Sequence, residues 1–352
     1  MNGIPPQILP PTPPPVKKRT GWIVYAVIIT FFLVLSVLAN FGLLALLGMS
    51  GATDHEVKRE RLQEQYVQGD RQAHDKIALI DLTGVISYEG DDPQNGEGMV
   101  GDIKDQLDRA VRDKHVKAII LRIDSPGGEV VASDAIYRAL ADVRDDTNRV
   151  IKVISYIETV GASGAYYAAM GTDYVVANEL SITGSIGVIM QTFNFRHLMD
   201  KVGIEAYTFK SGNLKDILNP TREPTEDEKA LVQNLIMEVY EKFVGIVSDE
   251  RDIDLDKLKN GLADGRIYSG KQAKEANLID EVGYFEDAID AAKDLAKIKE
   301  AKVVQYTKPF SFRQLLRMFG KSEAPKIQLE LSPHTLHLRT GKLYFLPPYM
   351  FQ

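Results

Sequence analysis

Three short segments of the 352-residue chain carry residue types that could do covalent chemistry. The first is Ser163, within Gly161-Ala162-Ser163-Gly164-Ala165. Small neighbours allow a sharp strand-to-helix turn that leaves the hydroxyl accessible. The first N–H groups of a helix lack intrahelical acceptors, a setting that suits a nucleophile passing through an acyl ester. A plain helix-capping serine fits the same spacing, which is not the Gly-x-Ser-x-Gly elbow of the α/β-hydrolases. The second segment is Ser125-Pro126-Gly127-Gly128, directly after an apolar run. Its N–H groups, with that of Gly164, could form an oxyanion hole, and an ordinary turn reads equally well. The third is Lys210-Ser211-Gly212-Asn213-Leu214-Lys215-Asp216. A serine nucleophile needs a base, usually histidine, yet no histidine lies between His115 and His197. Lysine can serve once burial and nearby hydroxyls bring its pKa from about 10.4 to about 7–8, a perturbation of roughly 4 kcal/mol. A solvated surface charge is the plain alternative for any lysine here.

Composition removes other chemistries. The chain has no cysteine, six histidines and no His-Glu-x-x-His, so thiolate, iron–sulfur and zinc sites are not expected, nor is any cofactor. A net charge of −7 gives no general attraction to a phosphate backbone, which argues against nucleic acid as a partner. With 44% hydrophobic and 26% charged residues, the bulk of the chain is of globular composition.

The elements that must position the three segments follow from hydrophobic periodicity. Ile77 to Leu82 is an apolar run of strand length, and Ile103, Leu107, Ala110 and Val111 have helical spacing. A buried strand is predicted from Val116 to Ile123, a helix from Val131 to Val143, and a strand from Val150 to Ile157. A helix opens at Ser163, and Tyr174 to Ala177 and Ser185 to Met190 read as further strands. Thr225 and Glu228 form a capping box that starts an amphipathic helix carrying Leu231, Leu235, Val239, Phe243 and Ile246. Ser269 begins another helix, with Asn277 at its left-handed end. Strand–helix alternation at this spacing predicts an α/β fold with a largely parallel sheet.

Five segments occur in an order that resembles one family. They are the strand ending in Ser125-Pro126-Gly127-Gly128, the segment Gly161 to Tyr167, Thr183 to Val188, Lys210 to Asp216, and Ala263 to Gly270. Together they resemble bacterial signal peptide peptidases, membrane-anchored Ser/Lys proteases related in fold to Clp protease and the crotonases. The resemblance covers about residues 75–295. It implies a Clp protease/crotonase-like α/β fold of repeated ββα units. It further implies Ser163 as nucleophile, Lys215 as general base with Lys210 less favoured, Gly128 and Gly164 as oxyanion donors, and Ser185 as a hydroxyl supporting the lysine amine. Family members often carry Gly-Gly where this chain has Gly164-Ala165, and Gly in place of Asn277; neither departure touches the nucleophile. The family assembles as rings or domes whose neighbouring copies share sites, which implies a ring-shaped homo-oligomer here. Family substrates are signal peptides left in the membrane and other apolar peptides. A crotonase-type acyl-CoA enzyme and a catalytically inactive scaffold are the competing readings.

Outside that region the chain divides by composition. Residues 1–20 hold seven of the sixteen prolines and read as an extended cytoplasmic tail. The 26 positions from Trp22 to Leu47 carry no charge and make roughly 39 Å of helix, enough for a membrane anchor over 21–48. Lys17-Lys18-Arg19 before it predicts a cytoplasmic N-terminus and an extracytoplasmic catalytic domain, with the chain in the bacterial cytoplasmic membrane. Residues 49–75 read as a charged stalk, 76–300 as the protease domain and 301–352 as a C-terminal extension. The apolar stretch from Leu343 to Phe351 is expected to act as a self-ligand, to bridge subunits, or to pack as a final strand.

Overall fold

The computed structural model describes residues 20–49, 62–88, 98–308 and 344–345. It separates into two compact units, Met1–Arg59 and Glu60–Gln352. The first contains α1 (Thr20–Met49). From Gly21 to Gly42 this helix is long and apolar enough to cross a membrane, and none of that stretch is buried by protein. The proline-rich tail before Thr20 and residues 50–61 of the expected stalk lie outside the described residues.

The second unit opens with β1 (Gln63–Gly69), β2 (Lys76–Thr83), α2 (Met99–Arg112), β3 (Val116–Ser125), β4 (Gly128–Glu129) and α3 (Val130–Arg144). Then come β5 (Lys152–Ala162), α4 (Gly164–Ala169), β6 (Tyr174–Ala177), β7 (Ile182–Gly184), α5 (Arg196–Val202), α6 (Glu226–Arg251) and α7 (Leu255–Lys257). It closes with β8 (Ile267–Ser269), α8 (Gly270–Glu275), β9 (Glu281–Val282), α9 (Phe285–Ala296), β10 (Lys302–Thr307) and β11 (Tyr344–Phe345).

The period-two pattern of the central strands explains why helices cover both faces of the sheet. In β2, Ala78, Ile80 and Leu82 pack with Ile103 and Leu107 of α2 and Ile136 and Leu140 of α3. The alternate residues Ile77 and Leu79 pack on the opposite face with Ala288, Ile289 and Ala292 of α9. β3 divides in the same way, Ile119, Leu121 and Ile123 to one side and Ala118 and Ile120 to the other. A strand buried on both faces needs crossover helices, which make its neighbours parallel. The main path runs β1-β10-β2-β3-β5-β6-β9. Every pairing from β10 to β9 is parallel. β7 adds to β5 beyond β6, also parallel, and β8 pairs antiparallel with β7. Strand–helix–strand units stacked in this way form the Clp protease/crotonase-like α/β fold.

Several sequence expectations shift. Part of the expected stalk is β1, which pairs antiparallel with β10 at the edge of the sheet. Its residues are mostly exposed, so main-chain bonds rather than an apolar face hold it, and its polar sequence hid it. β10 lies between β1 and β2 and buries Val303, Val304 and Tyr306. Residues 63–69 and 302–307 thus belong to the same sheet as the 76–300 segment. The strand expected from Ser185 to Met190 is instead β7, ending at Gly184, because Gly184 and Ser185 both have positive φ and turn the chain away. The capping box of α6 is present, with Thr225 N–H donating to Glu228 Oε2 at 2.8 Å and Glu228 N–H to Thr225 Oγ1 at 3.3 Å. Only the later part of its apolar stripe is covered: Phe243 is fully buried, whereas Leu231 and Leu235 stay exposed.

Candidate active site

Parallel strands deliver the candidate residues to one end of the sheet. β3 and β5 pair in register from Ala118 to Ile123, and after a shift in register Ser125 stands opposite Gly161. β5 and β7 end together with Ala162 opposite Gly184. The next residues, Ser163 and Ser185, therefore leave from adjacent strand ends, and the Ser125–Gly128 turn borders them. The carboxyl end of a parallel sheet is where α/β folds gather ligands.

Ser163 sits between β5 and α4 with φ 55° and ψ −116°, a conformation costly for a residue with a Cβ and typical of sites where strain serves chemistry. The neighbourhood enforces it. Ser163 N–H donates to Gly184 O at 2.7 Å, and Tyr167 N–H donates to Ser163 O at 2.8 Å. α4 is pinned by two buried phenols, Tyr166 Oη donating to Leu278 O at 2.6 Å and Tyr167 Oη to Asp134 Oδ1 at 2.7 Å. Burial pushes both phenols above the usual tyrosine range, so they stay neutral donors. Within this rigid frame the Ser163 hydroxyl is fully buried and has no hydrogen-bond partner among the described residues. A buried hydroxyl without a partner carries a desolvation cost of about 1–3 kcal/mol, and such groups call for a functional reason.

Gly128 is a glycine because nothing else fits. A Cβ there would stand 2.1 Å from Ile86 O and 2.5 Å from Ile86 N. Ile86 N–H donates to Gly127 O and Glu129 N–H donates to Ile86 O, both at 2.8 Å. With its neighbours committed to Ile86, strand alternation points the N–H and C=O of Gly128 to the other side of β4. On that side lies β11, antiparallel, with Phe345 opposite Gly128 and Tyr344 opposite Glu129. Gly164, the first residue of α4, contributes an N–H that precedes the helical hydrogen-bond ladder.

Ser185 is buried and lines a groove of about 430 Å³ with Ile186, Val188, Met237 and Tyr240 among its walls.

The two lysines part company. Lys210 Nζ donates to Asp216 Oδ1 at 2.7 Å and to Asn213 O at 3.1 Å, so its amine is tied into an ion pair within its own loop. Lys215 is exposed, and its amine makes no hydrogen bond or ion pair among the described residues. Ser163, Gly164 and Ser185 leave from adjacent strand ends of one chain, with Gly128 in the neighbouring β4, while the Lys215 amine makes no hydrogen bond to any of them. Arg222 was not singled out from the sequence. It joins Asp216 to Glu228, and six-residue separations to both partners leave no periodic signal.

No group of three or more metal-ligating side chains occurs among the described residues.

The profile of peptidase family S49 matches residues 145–299, a span that contains Ser163, Ser185 and Lys215. A protein of Enterococcus faecium carrying the name signal peptide peptidase SppA is 35% identical over 258 residues, 72% of this chain and 71% of its own length. A protein of Methanocaldococcus jannaschii named as a protease is 33% identical over 290 residues, 80% of this chain and 86% of its own. The chloroplastic serine protease SPPA of Arabidopsis thaliana is 34% identical over 255 residues, 70% of this chain and 37% of that protein. Sheet topology, the strained Ser163 turn and these relatives lead to one assignment: the chain is a member of peptidase family S49.

Proposed function

We propose that this peptidase is a membrane-anchored serine endopeptidase in which Ser163 is the nucleophile and Lys215, supplied by a neighbouring copy of the chain, is the general base. The observation that carries this reading is the pairing of opposite needs: among the described residues, a buried Ser163 hydroxyl without a hydrogen-bond partner and an exposed Lys215 amine without one. The segment leading to Lys215 exposes Phe193, Phe195, Leu198, Val202, Ile204 and Phe209, the last 96% accessible. An apolar surface of this extent supports burial of the lysine-bearing segment against a second copy.

In the proposed reaction, neutral Lys215 Nζ takes the Ser163 Oγ proton as Oγ attacks the scissile carbonyl carbon. The N–H groups of Gly128 and Gly164 receive the oxyanion, and the Ser185 hydroxyl holds the amine. Collapse of the intermediate expels the amine product, which takes its proton from the Lys215 ammonium and leaves an acyl ester on Ser163. Water then attacks the ester, with Lys215 again as base.

The substrate class follows from the groove and from β4. β11 demonstrates that the free side of β4 accepts an extended antiparallel chain, the geometry of β-strand addition. Apolar walls beside Ser185 suit apolar side chains. Signal peptides, named for the Enterococcus faecium relative, are extended and apolar, and an anchor at α1 would hold the enzyme beside them. Lys17-Lys18-Arg19 favours a cytoplasmic N-terminus and an extracytoplasmic catalytic unit. A membrane-impermeant fluorophosphonate added to wall-stripped cells is therefore expected to label Ser163. Labelling only after lysis would overturn the topology, and no labelling in either state would overturn the serine mechanism.

β11 belongs to the same account. Its register sets Phe345 opposite Gly128, whose N–H is the proposed oxyanion donor. On this account the C-terminal segment is a self-ligand and, by the same contact, a final strand of its own chain. Deleting residues 343–352 is expected to speed cleavage of short apolar peptides several-fold at unchanged melting temperature. A fall in melting temperature without faster cleavage would reduce the segment to packing.

A further inference from the structure

The segment that carries Lys215 has little regular structure of its own. From Gly212 to Asn219 it is a succession of turns, Lys215 N–H donating to Gly212 O at 3.1 Å, Ile217 N–H to Leu214 O at 3.2 Å and Asn219 N–H to Asp216 O at 3.1 Å. It has few buried apolar residues to fix its place. A general base must nonetheless be held to a fraction of an ångström. Something other than packing has to hold it.

Arg222 does so by geometry. Its Nε donates to Asp216 Oδ2 and its Nη2 to Asp216 Oδ1, both at 2.8 Å, a fork on the carboxylate adjacent to Lys215. Nη2 also donates to the main-chain oxygen of Asp216 at 2.9 Å. The other edge of the guanidinium reaches Glu228, with Nη1 donating to Oε2 at 2.8 Å and Nη2 bonded to Oε1. Glu228 is only 1% exposed and belongs to the capping box of α6. Asn194 Nδ2 donates to Arg222 O at 2.9 Å, and Lys210 closes the cluster on Asp216. Arg222 is thus a rivet between the first turn of a 26-residue helix and the residue next to the proposed base. Only a planar guanidinium offers two edges for two carboxylates at once.

We infer that Arg222 is a positioning residue for Lys215, fixing the Asp216 end of the lysine-bearing turn to α6 so that the amine is presented at a fixed place. This inference rests on the Ser163/Lys215 reading. The guanidinium also holds the Asp216 and Glu228 carboxyls well below the usual carboxylate range, with Lys210 adding to the effect at Asp216. A depressed carboxylate loses its stabilising charge only on acidification, so the rivet persists through the neutral and alkaline range in which a lysine base works.

The test uses the full-length protein with Arg222→Ala and the milder Asp216→Asn, each alone and combined with Lys215→Ala. Asp216→Asn weakens the fork without stranding a buried carboxylate, so it decides the matter should Arg222→Ala fail to fold. The expected result is a fall in kcat of about 10- to 100-fold for Arg222→Ala, a smaller fall for Asp216→Asn, and an unchanged KM. In the Lys215→Ala background neither substitution should slow fluorophosphonate labelling any further. Wild-type kcat in Asp216→Asn and in any folded Arg222→Ala would overturn the inference. So would an equal proportional loss with and without Lys215, which marks a structural role. Wild-type activity in Lys215→Ala itself would instead overturn the Ser/Lys reading on which the inference stands.

Discussion

Replacing Ser163 by Ala, or Lys215 by Ala, is expected to lower turnover of an apolar extended peptide by about four orders of magnitude or more. The double variant should be no worse than either single one, because a nucleophile and its base act as a unit. Neither loss should come from unfolding. Ser163→Ala removes a buried hydroxyl that has no hydrogen-bond partner among the described residues, so the melting temperature should hold or rise. Lys215 is exposed and makes no ion pair among the described residues, so its truncation should leave stability within the range of ordinary surface changes. Mixing the two inactive variants under conditions of subunit exchange should restore part of the activity, since some sites then receive an intact Ser163 from one copy and an intact Lys215 from the next. Absence of any recovery from mixed oligomers would place both groups in one chain. Normal turnover by Lys215→Ala would remove the dyad altogether and redirect attention to Lys210, despite its ion pair with Asp216.

The second large effect is expected at Gly128. A backbone N–H cannot be deleted by changing a side chain, but it can be displaced. In Gly128→Ala the new Cβ would lie 2.1 Å from Ile86 O and 2.7 Å from Ile86 C, main-chain atoms with no flexible end to move aside. The bridge between Ile86 and Gly128 must open, and the N–H aimed across β4 goes with it. Loss of one oxyanion donor costs about 100- to 1,000-fold in kcat. Gly187→Ala is the matching control in the groove, since its Cβ would meet Gly265 Cα at an ordinary 3.5 Å. Steady-state kinetics with melting curves on both variants separates the cases. Near-normal kcat in a folded Gly128→Ala protein would assign the oxyanion to other donors.

Much of this architecture was legible because its signals are local. The strand from Tyr174 to Ala177 agrees to the residue. The capping box of Thr225 and Glu228 and the left-handed Asn277 are where short-range spacing puts them. Ser163 stood out for its small neighbours, and its turn proved strained, with φ 55°. What escaped is non-local. β1 is polar and mostly exposed, and main-chain pairing with β10, more than 200 residues later, and an ion pair from Glu64 to Lys76 hold it in place. The Arg222 rivet joins residues six positions apart on both sides, a spacing that matches neither a helix nor a strand.

Sequence alone determined which segments become buried strands and covering helices, since an apolar period of two or 3.6 is written into a few consecutive residues. It also determined the uncharged run of α1 and the residue types at the ends of β3 and β5. Tertiary structure decided which of those residues meet. Parallel register brings Ser163, Ser185, Gly128 and Gly164 to one edge, while the turns of residues 212–219 carry Lys215 out to the surface, apart from all four. The same holds for Tyr344 and Phe345, whose pairing with β4 spans more than 200 residues of chain. The physical reason is that burial preferences act residue by residue, whereas the meeting of distant groups depends on the paths of intervening loops. Those paths are set by the balance of many weak contacts across the whole fold, and no short window of sequence contains it.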